Sequence, residues 1–191
     1  MYKTLSIATL TLLSLAAGPA LAHSGHHPSG LGAGLAHPFT GVDHLLAMLA
    51  VGFVAFSHGR KGLALPAAFL AFMLVGAGLG FAGIALPAVE TGIAVSVLVL
   101  GLMLTFSRQV PILAGVLLTG AFAVFHGFAH AAEMSAGSSA GLYMLGFISG
   151  TALLHGLGLG LGALTLHAQQ RWITTIAGVG TAGIGAVMLF V

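Results

Sequence analysis

Residues 110–132 read VPILAGVLLTGAFAVFHGFAHAA, a stretch without one formally charged side chain, closed by Glu133. At 1.5 Å per residue a helix of this length exceeds the ~30 Å hydrocarbon core of a bilayer. In lipid the backbone must satisfy its own hydrogen bonds, so an apolar run of this kind reads as a spanning α-helix. The rest of the chain divides in the same way. Further apolar runs cover about 41–58, 62–86, 88–107, 141–164 and 172–191, separated by charges, prolines and short polar stretches. With 110–132 the sequence predicts an all-α membrane protein, a bundle of six transmembrane helices spread over residues 37–191.

Composition supports that class and excludes others. Of 191 residues 58% are hydrophobic before the 30 glycines are counted, and only 4% are charged. So few charges cannot cover the surface of a water-soluble globule of this size. Soluble enzymes, nucleic-acid binders and disordered tails are excluded together, and the net charge of +2 indicates no nucleic-acid partner. Cysteine is absent, which removes disulfides, thiolate metal sites and thiol nucleophiles.

Residues 1–22 carry Lys3, an apolar stretch, the breaker Gly18-Pro19 and the small-residue site Ala20-Leu21-Ala22. They read as a secretory signal peptide cleaved after Ala22, which would leave residues 23–36 as a periplasmic segment beginning at His23. Alternation from an outer N-terminus puts Arg60, Lys61, Arg108 and Arg171 on the cytoplasmic side, as the positive-inside rule requires. The expected topology is N-out/C-out in the bacterial inner membrane. Runs one to three and four to six then have opposite orientation, and each half opens with a helix bearing histidine and acid, the pattern of an inverted repeat. Glycine spacings at Gly76/Gly80, Gly156/Gly160 and Gly178/Ala182 predict close helix packing.

The three acids of the mature chain, Asp43, Glu90 and Glu133, all fall in or at the end of spanning runs. A charge near the bilayer centre costs about 2.5–3.5 kcal/mol, so each needs a partner or a function. In His37-Pro-Phe-Thr-Gly-Val-Asp43-His44, the two histidines are spaced to share a helix face; Thr40 and Asp43 alternatively read as a capping box. In His126-Gly-Phe-Ala-His130-Ala-Ala-Glu133, positions i, i+4 and i+7 form one stripe. Imidazole and carboxylate without sulfur suit a divalent first-row metal. Run one begins outside and run four ends outside, so His37, Asp43, His44, His126, His130 and Glu133 are expected to converge on one metal site. Glu90 reads equally as a ligand or as a first-turn acid facing the helix dipole. His155 lies deeper, as a second coordination point or proton relay, or as a packing histidine. His58 and His167 fall near the inner surface. The His23, His26, His27 cluster reads as a metal-capturing terminus or a solvated tail.

The stretches HPFTGVDHLLAMLAVG (37–52), FHGFAHAAE (125–133) and, more loosely, GFISGTALLHGLG (146–158) resemble the HupE/UreJ family of hydrogenase and urease accessory proteins, small nickel permeases. The resemblance implies a cleaved signal peptide, six helices and Ni²⁺ uptake for metallocentre assembly, with nickel-delivery or maturation proteins as partners. It also implies that the six residues of the two motifs handle the metal. Ala131 stands where the family more often has glycine. The residues alone fit Co²⁺, Zn²⁺ or Cu²⁺ as well as Ni²⁺.

The expected activity is secondary transport, with no enzymatic step. There is no Walker-type Gly-Lys-Ser/Thr segment, so the chain carries no ATP site of that kind. Two rival readings use the same residues. One is an intramembrane zinc hydrolase with a carboxylate base, against which stands the lack of a His-Glu-x-x-His motif. The other is a metal-sensing or scaffold subunit of a separate transporter.

Overall fold

The computed structural model describes residues 30–134, 139–167 and 171–191, without the side chains of residues 166, 167 and 171. The signal-peptide reading, His23, His26 and His27 lie outside the described residues, as does the side chain of His167. Among the described residues every regular element is helical. The order is α1 (Leu31–Ala36), a 3₁₀ turn (His37–Phe39), α2 (Val42–Ser57), a 3₁₀ turn (Gly59–Leu63), then α3 (Ala64–Phe81) and α4 (Val89–Thr105). It continues with α5 (Ile112–Glu133), α6 (Ala140–His167) and α7 (Arg171–Met188).

Three helical stretches, Gly59–Phe81, Ile112–Glu133 and Ala140–Thr165, are long and apolar enough to cross a membrane. A fourth is gained if the pair Leu31–Phe39 and Val42–Ser57, bent by 81°, forms one broken span. Val89–Thr105 and Trp172–Met188 are apolar but shorter. Burial is arranged for a lipid solvent. Leu113, Leu117, Leu153, Leu164, Ile176 and Val179 point outward, whereas Ser96, Thr119, His126, His130, Thr151 and His155 are buried. A soluble protein places these classes the other way round. The apolar core under them includes Met48, Val51, Leu65, Phe69, Met73, Leu100 and Phe147.

Two departures from the sequence reading concern the chain before α2. Residues 31–36 form α1 and pack on α6, where a Cβ on Gly34 or Gly146 would meet the facing backbone. His37 and His44 do not share a helix face: Gly41 is extended (φ −95°, ψ 126°) and starts α2 anew. The Thr40/Asp43 capping box does not form either. Gly41 holds the cap position without a side-chain cap, and the Thr40 hydroxyl donates back to the His37 carbonyl at 2.8 Å.

The helix pairing repeats about a pseudo-two-fold axis that exchanges α2, α3, α4 with α5, α6, α7. Helix α2 packs on α6 as α5 packs on α3, and α4 packs on α7. Glycines fix the register. A Cβ on Gly52 of α2 would collide with the His155 carbonyl of α6, and one on Gly127 of α5 with the Met73 carbonyl of α3. Gly158 meets the Leu49 carbonyl, and Gly76 meets that of Val124. Leu49 and Gly52 thus correspond to Val124 and Gly127 at one constant offset, Met73 and Gly76 to His155 and Gly158 at another. In the pair related to itself, Gly101 abuts the Ala182 nitrogen as Gly178 abuts that of Thr105. Gly185 against Leu98 then makes α4 and α7 antiparallel, as an inverted repeat demands. Of the small-residue pairs read from the sequence, Gly76/Gly80 and Gly178/Ala182 lie at helix contacts. Gly156/Gly160 does not: nothing stands within 4 Å of a Cβ at either position.

Candidate metal site

Inversion of the halves brings the start of α2 beside the end of α5. The 3₁₀ turn supplies His37, the first turn of α2 supplies Asp43 and His44, and α5 supplies His126, His130 and Glu133, one turn apart along a single face.

His37 Nε2 lies 2.9 Å from Glu133 Oε2, and His130 Nδ1 lies 3.7 Å from the same oxygen. Ligand atoms of His37, His130 and Glu133 all fall within 4.8 Å of one another, a grouping that can hold a metal ion. Around it, the His44 ring centroid is 4.3 Å from that of His130 and 4.7 Å from that of His126, and Asp43 Oδ1 is 2.9 Å from His44 Nδ1. Depth is graded across the cluster. Glu133 and His37 are the exposed and half-buried end, and His130 and His126 are fully buried. A cavity of about 160 Å³, lined by His37, Thr40, Gly41, Asp43, His44 and Glu133, opens onto the exposed end. It is large enough for a cation that keeps part of its water.

The buried side of the cluster is short of hydrogen bonds. His44 Nε2, His126 Nδ1 and both ring nitrogens of His130 have no hydrogen-bond partner among the described residues. Unpaired buried polar atoms each cost about 1–3 kcal/mol, and each neutral imidazole here could offer one lone pair to a ligand that relieves that cost. Ser96 of α4, which the sequence reading did not single out, sets one of them. Its hydroxyl donates to the Ile93 carbonyl at 2.6 Å and therefore accepts from His126 Nε2–H at 2.8 Å. The proton is held on Nε2, which leaves the His126 Nδ1 lone pair free. A serine mid-helix carries no such signal until its neighbour across the helix pair is known.

The other candidates fall elsewhere. Glu90 is exposed in the first turn of α4 and is not part of the metal-holding group. His155 is buried a full layer deeper, edge-on to Phe69 at 5.1 Å, and Phe69 in turn lies 5.5 Å from His126. His58 is half-buried at the opposite end of α2, its ring nitrogens 3.1 and 2.9 Å from the carbonyls of Val54 and Val110.

Comparison with known proteins gives the family. No solved structure matches the chain. The family described as HupE / UreJ protein matches residues 10–188, which takes in every element above. Protein HupE of Rhizobium leguminosarum bv. viciae is 43% identical over 184 residues, covering 95% of this chain and 96% of the relative. A match over nearly the full length of both chains, with the His/Asp/Glu group inside it, places this membrane protein in the HupE/UreJ family.

Proposed function

We propose that the protein is a permease that takes up a divalent first-row cation, Ni²⁺, from the outer side of the bacterial inner membrane through His37, Asp43, His44, His126, His130 and Glu133. The observation that supports this best is the meeting of His37, His130 and Glu133, from two separate elements, within 4.8 Å at the mouth of a polar cavity. The cation exchanges water for Glu133 and His37 at the exposed end and then for the imidazoles below. Nickel itself follows from the family resemblance, as does service to hydrogenase or urease maturation. In this reading residues 1–22 are removed as a signal peptide and six helices span the membrane, N-out/C-out, with the shorter α4 and α7 packed on each other between the longer ones. The membrane potential drives uptake, at about 4.6 kcal/mol per 100 mV for a dication.

The test is uptake by proteoliposomes that contain this protein alone, scanning Ni²⁺, Co²⁺, Zn²⁺ and Cu²⁺ with an internal fluorescent chelator. Saturable uptake of Ni²⁺ that rises with an inside-negative potential is expected. Binding without uptake would sink the permease reading in favour of a sensor or scaffold.

Ser96 offers a finer check. Ser96→Ala removes the acceptor that holds the proton on His126 Nε2, so the ring then samples both tautomers and presents its Nδ1 lone pair only part of the time. Removing the partner that orients a ligating imidazole costs about 10–100-fold in metal affinity. Titration of purified protein with Ni²⁺ is expected to show a drop of about tenfold, at the lower end of that range, with thermal stability near that of the parent. Unchanged affinity would remove His126 from the ligand set.

A further inference from the structure

We infer that the protein holds a second cation position, at the repeat axis, built from His155, Thr151 and Met73 and distinct in chemistry from the outer group. This inference deepens the permease reading and rests on it for the identity of the ligand as a late first-row dication.

Thr151 and His155 are one turn apart on α6, and Phe69 and Met73 are one turn apart on α3. The Thr151 hydroxyl lies 3.9 Å from Met73 Sδ, and the Phe69 ring packs edge-on to His155. These two contacts are exchanged by the pseudo-two-fold, because Met73 corresponds to His155 and Phe69 to Thr151. The four side chains therefore surround the axis itself, where α3 and α6 cross. Phe69, Met73 and Thr151 are fully buried and His155 is 2% exposed. Neither ring nitrogen of His155 has a hydrogen-bond partner among the described residues. An imidazole in an otherwise apolar layer, with two unanswered nitrogens, is an expensive way to fill space and an inexpensive way to ligate.

The donor set differs from the outer one. Imidazole, thioether and hydroxyl carry no charge and include a soft sulfur, which suits Ni²⁺, Co²⁺ or copper and disfavours Mg²⁺, Ca²⁺ and Mn²⁺. An uncharged site also binds more weakly than one with Glu133, so a cation reaching it can leave again, as conduction requires. Inverted-repeat transporters place their ligands near the midplane at the repeat interface, and a site on the axis presents itself equally to both halves.

The experiment is Ni²⁺ titration of the purified full chain in nanodiscs, combined with nickel-edge X-ray absorption at one and two equivalents. Two equivalents bind in the parent, and sulfur scattering grows in with the second. Met73→Leu is expected to abolish the sulfur signal, and His155→Ala to lose the second equivalent, both with the first unchanged. Met73→Leu conserves volume and keeps the test valid should His155→Ala fail to fold. His130→Ala is expected to remove the nitrogen- and oxygen-bound equivalent and leave the sulfur-bound one. A parent without sulfur scattering, or variants that retain both equivalents, overturns the central position. Loss of sulfur in Met73→Leu together with two equivalents in His130→Ala would uphold the central position and sink the outer one instead.

Discussion

Alanine at Gly127 is expected to lower the unfolding midpoint of the detergent-solubilised protein by many degrees, and alanine at Gly52 to do the same. Each glycine sits where a Cβ would run into a backbone carbonyl, that of Met73 for Gly127 and that of His155 for Gly52. A flexible side chain can swing away from a new methyl; a carbonyl in a helix cannot. The helices must part, and the loosened packing along α3–α5 or α2–α6 adds to the overpacking cost of about 1–3 kcal/mol. In lipid the loss weighs heavily, because close packing rather than the hydrophobic effect holds such helices together. Gly156→Ala and Gly160→Ala supply the control. Both positions face open space, so the change should stay within about 0.5 kcal/mol. Size-exclusion chromatography after a heating series would report both. A Gly127→Ala protein as stable as Gly160→Ala would show that α3 and α5 can separate at this point without penalty.

The second large effect is loss of metal handling on removal of one imidazole. His130 is the hub of the cluster. Its ring is 4.7 Å from His37 and 4.3 Å from His44 by centroid, its Nδ1 is 3.7 Å from Glu133, and its other face packs on Phe147 at 3.8 Å. His130→Ala deletes the buried member of the His37/His130/Glu133 group and leaves His37 and Glu133 above it without their third ligand. Loss of this imidazole is expected to lower metal affinity about 100-fold, which is about 2.8 kcal/mol at about 1.4 kcal/mol per tenfold change. Uptake from scarce metal should fall in proportion; because His130 is fully buried, the unfolding midpoint of the variant is measured alongside, to separate loss of a ligand from loss of packing. Glu133→Gln tests the charge alone. It can still bond His37 but no longer neutralises a dication, and its uptake should fall nearly as far. Parental half-saturation in both variants would refute the site.

The sequence made the helices legible because charge-free runs of about twenty residues have few alternatives in lipid. It also made the convergence of the two motifs legible. The seven-residue spacing of His37 and His44 could not reveal that they meet by a sharp bend rather than by a shared face. That depended on Gly41 adopting the extended backbone of a helix N-cap, which any residue can take and which the spacing therefore does not mark. Ser96 was invisible for a different reason, since its role lies in a partner thirty residues away on another helix. The glycines show the limit most plainly. Gly76/Gly80 and Gly156/Gly160 have identical spacing, yet only the first pair meets another helix. Spacing marks which faces are smooth, and the tertiary pairing decides which smooth face is covered.

The halves of the bundle match in backbone pairing but not in lining. The offset that pairs Gly52 with Gly127 pairs His126 and His130 with Val51 and Ala55, and Glu133 with His58. Under the permease proposal a dication would meet the His/Asp/Glu group near one face and only His58 at the equivalent place near the other. No arrangement of fixed wells can move an ion uphill by itself, so net accumulation is bounded by the electrochemical gradient whatever the ligands are. What the uneven lining does set is sensitivity. Under the proposed permease function, the uneven lining would let metal be captured at lower concentration from the face with the histidines than from the opposite face. A backbone that repeats itself thus carries its candidate ligands on one side only.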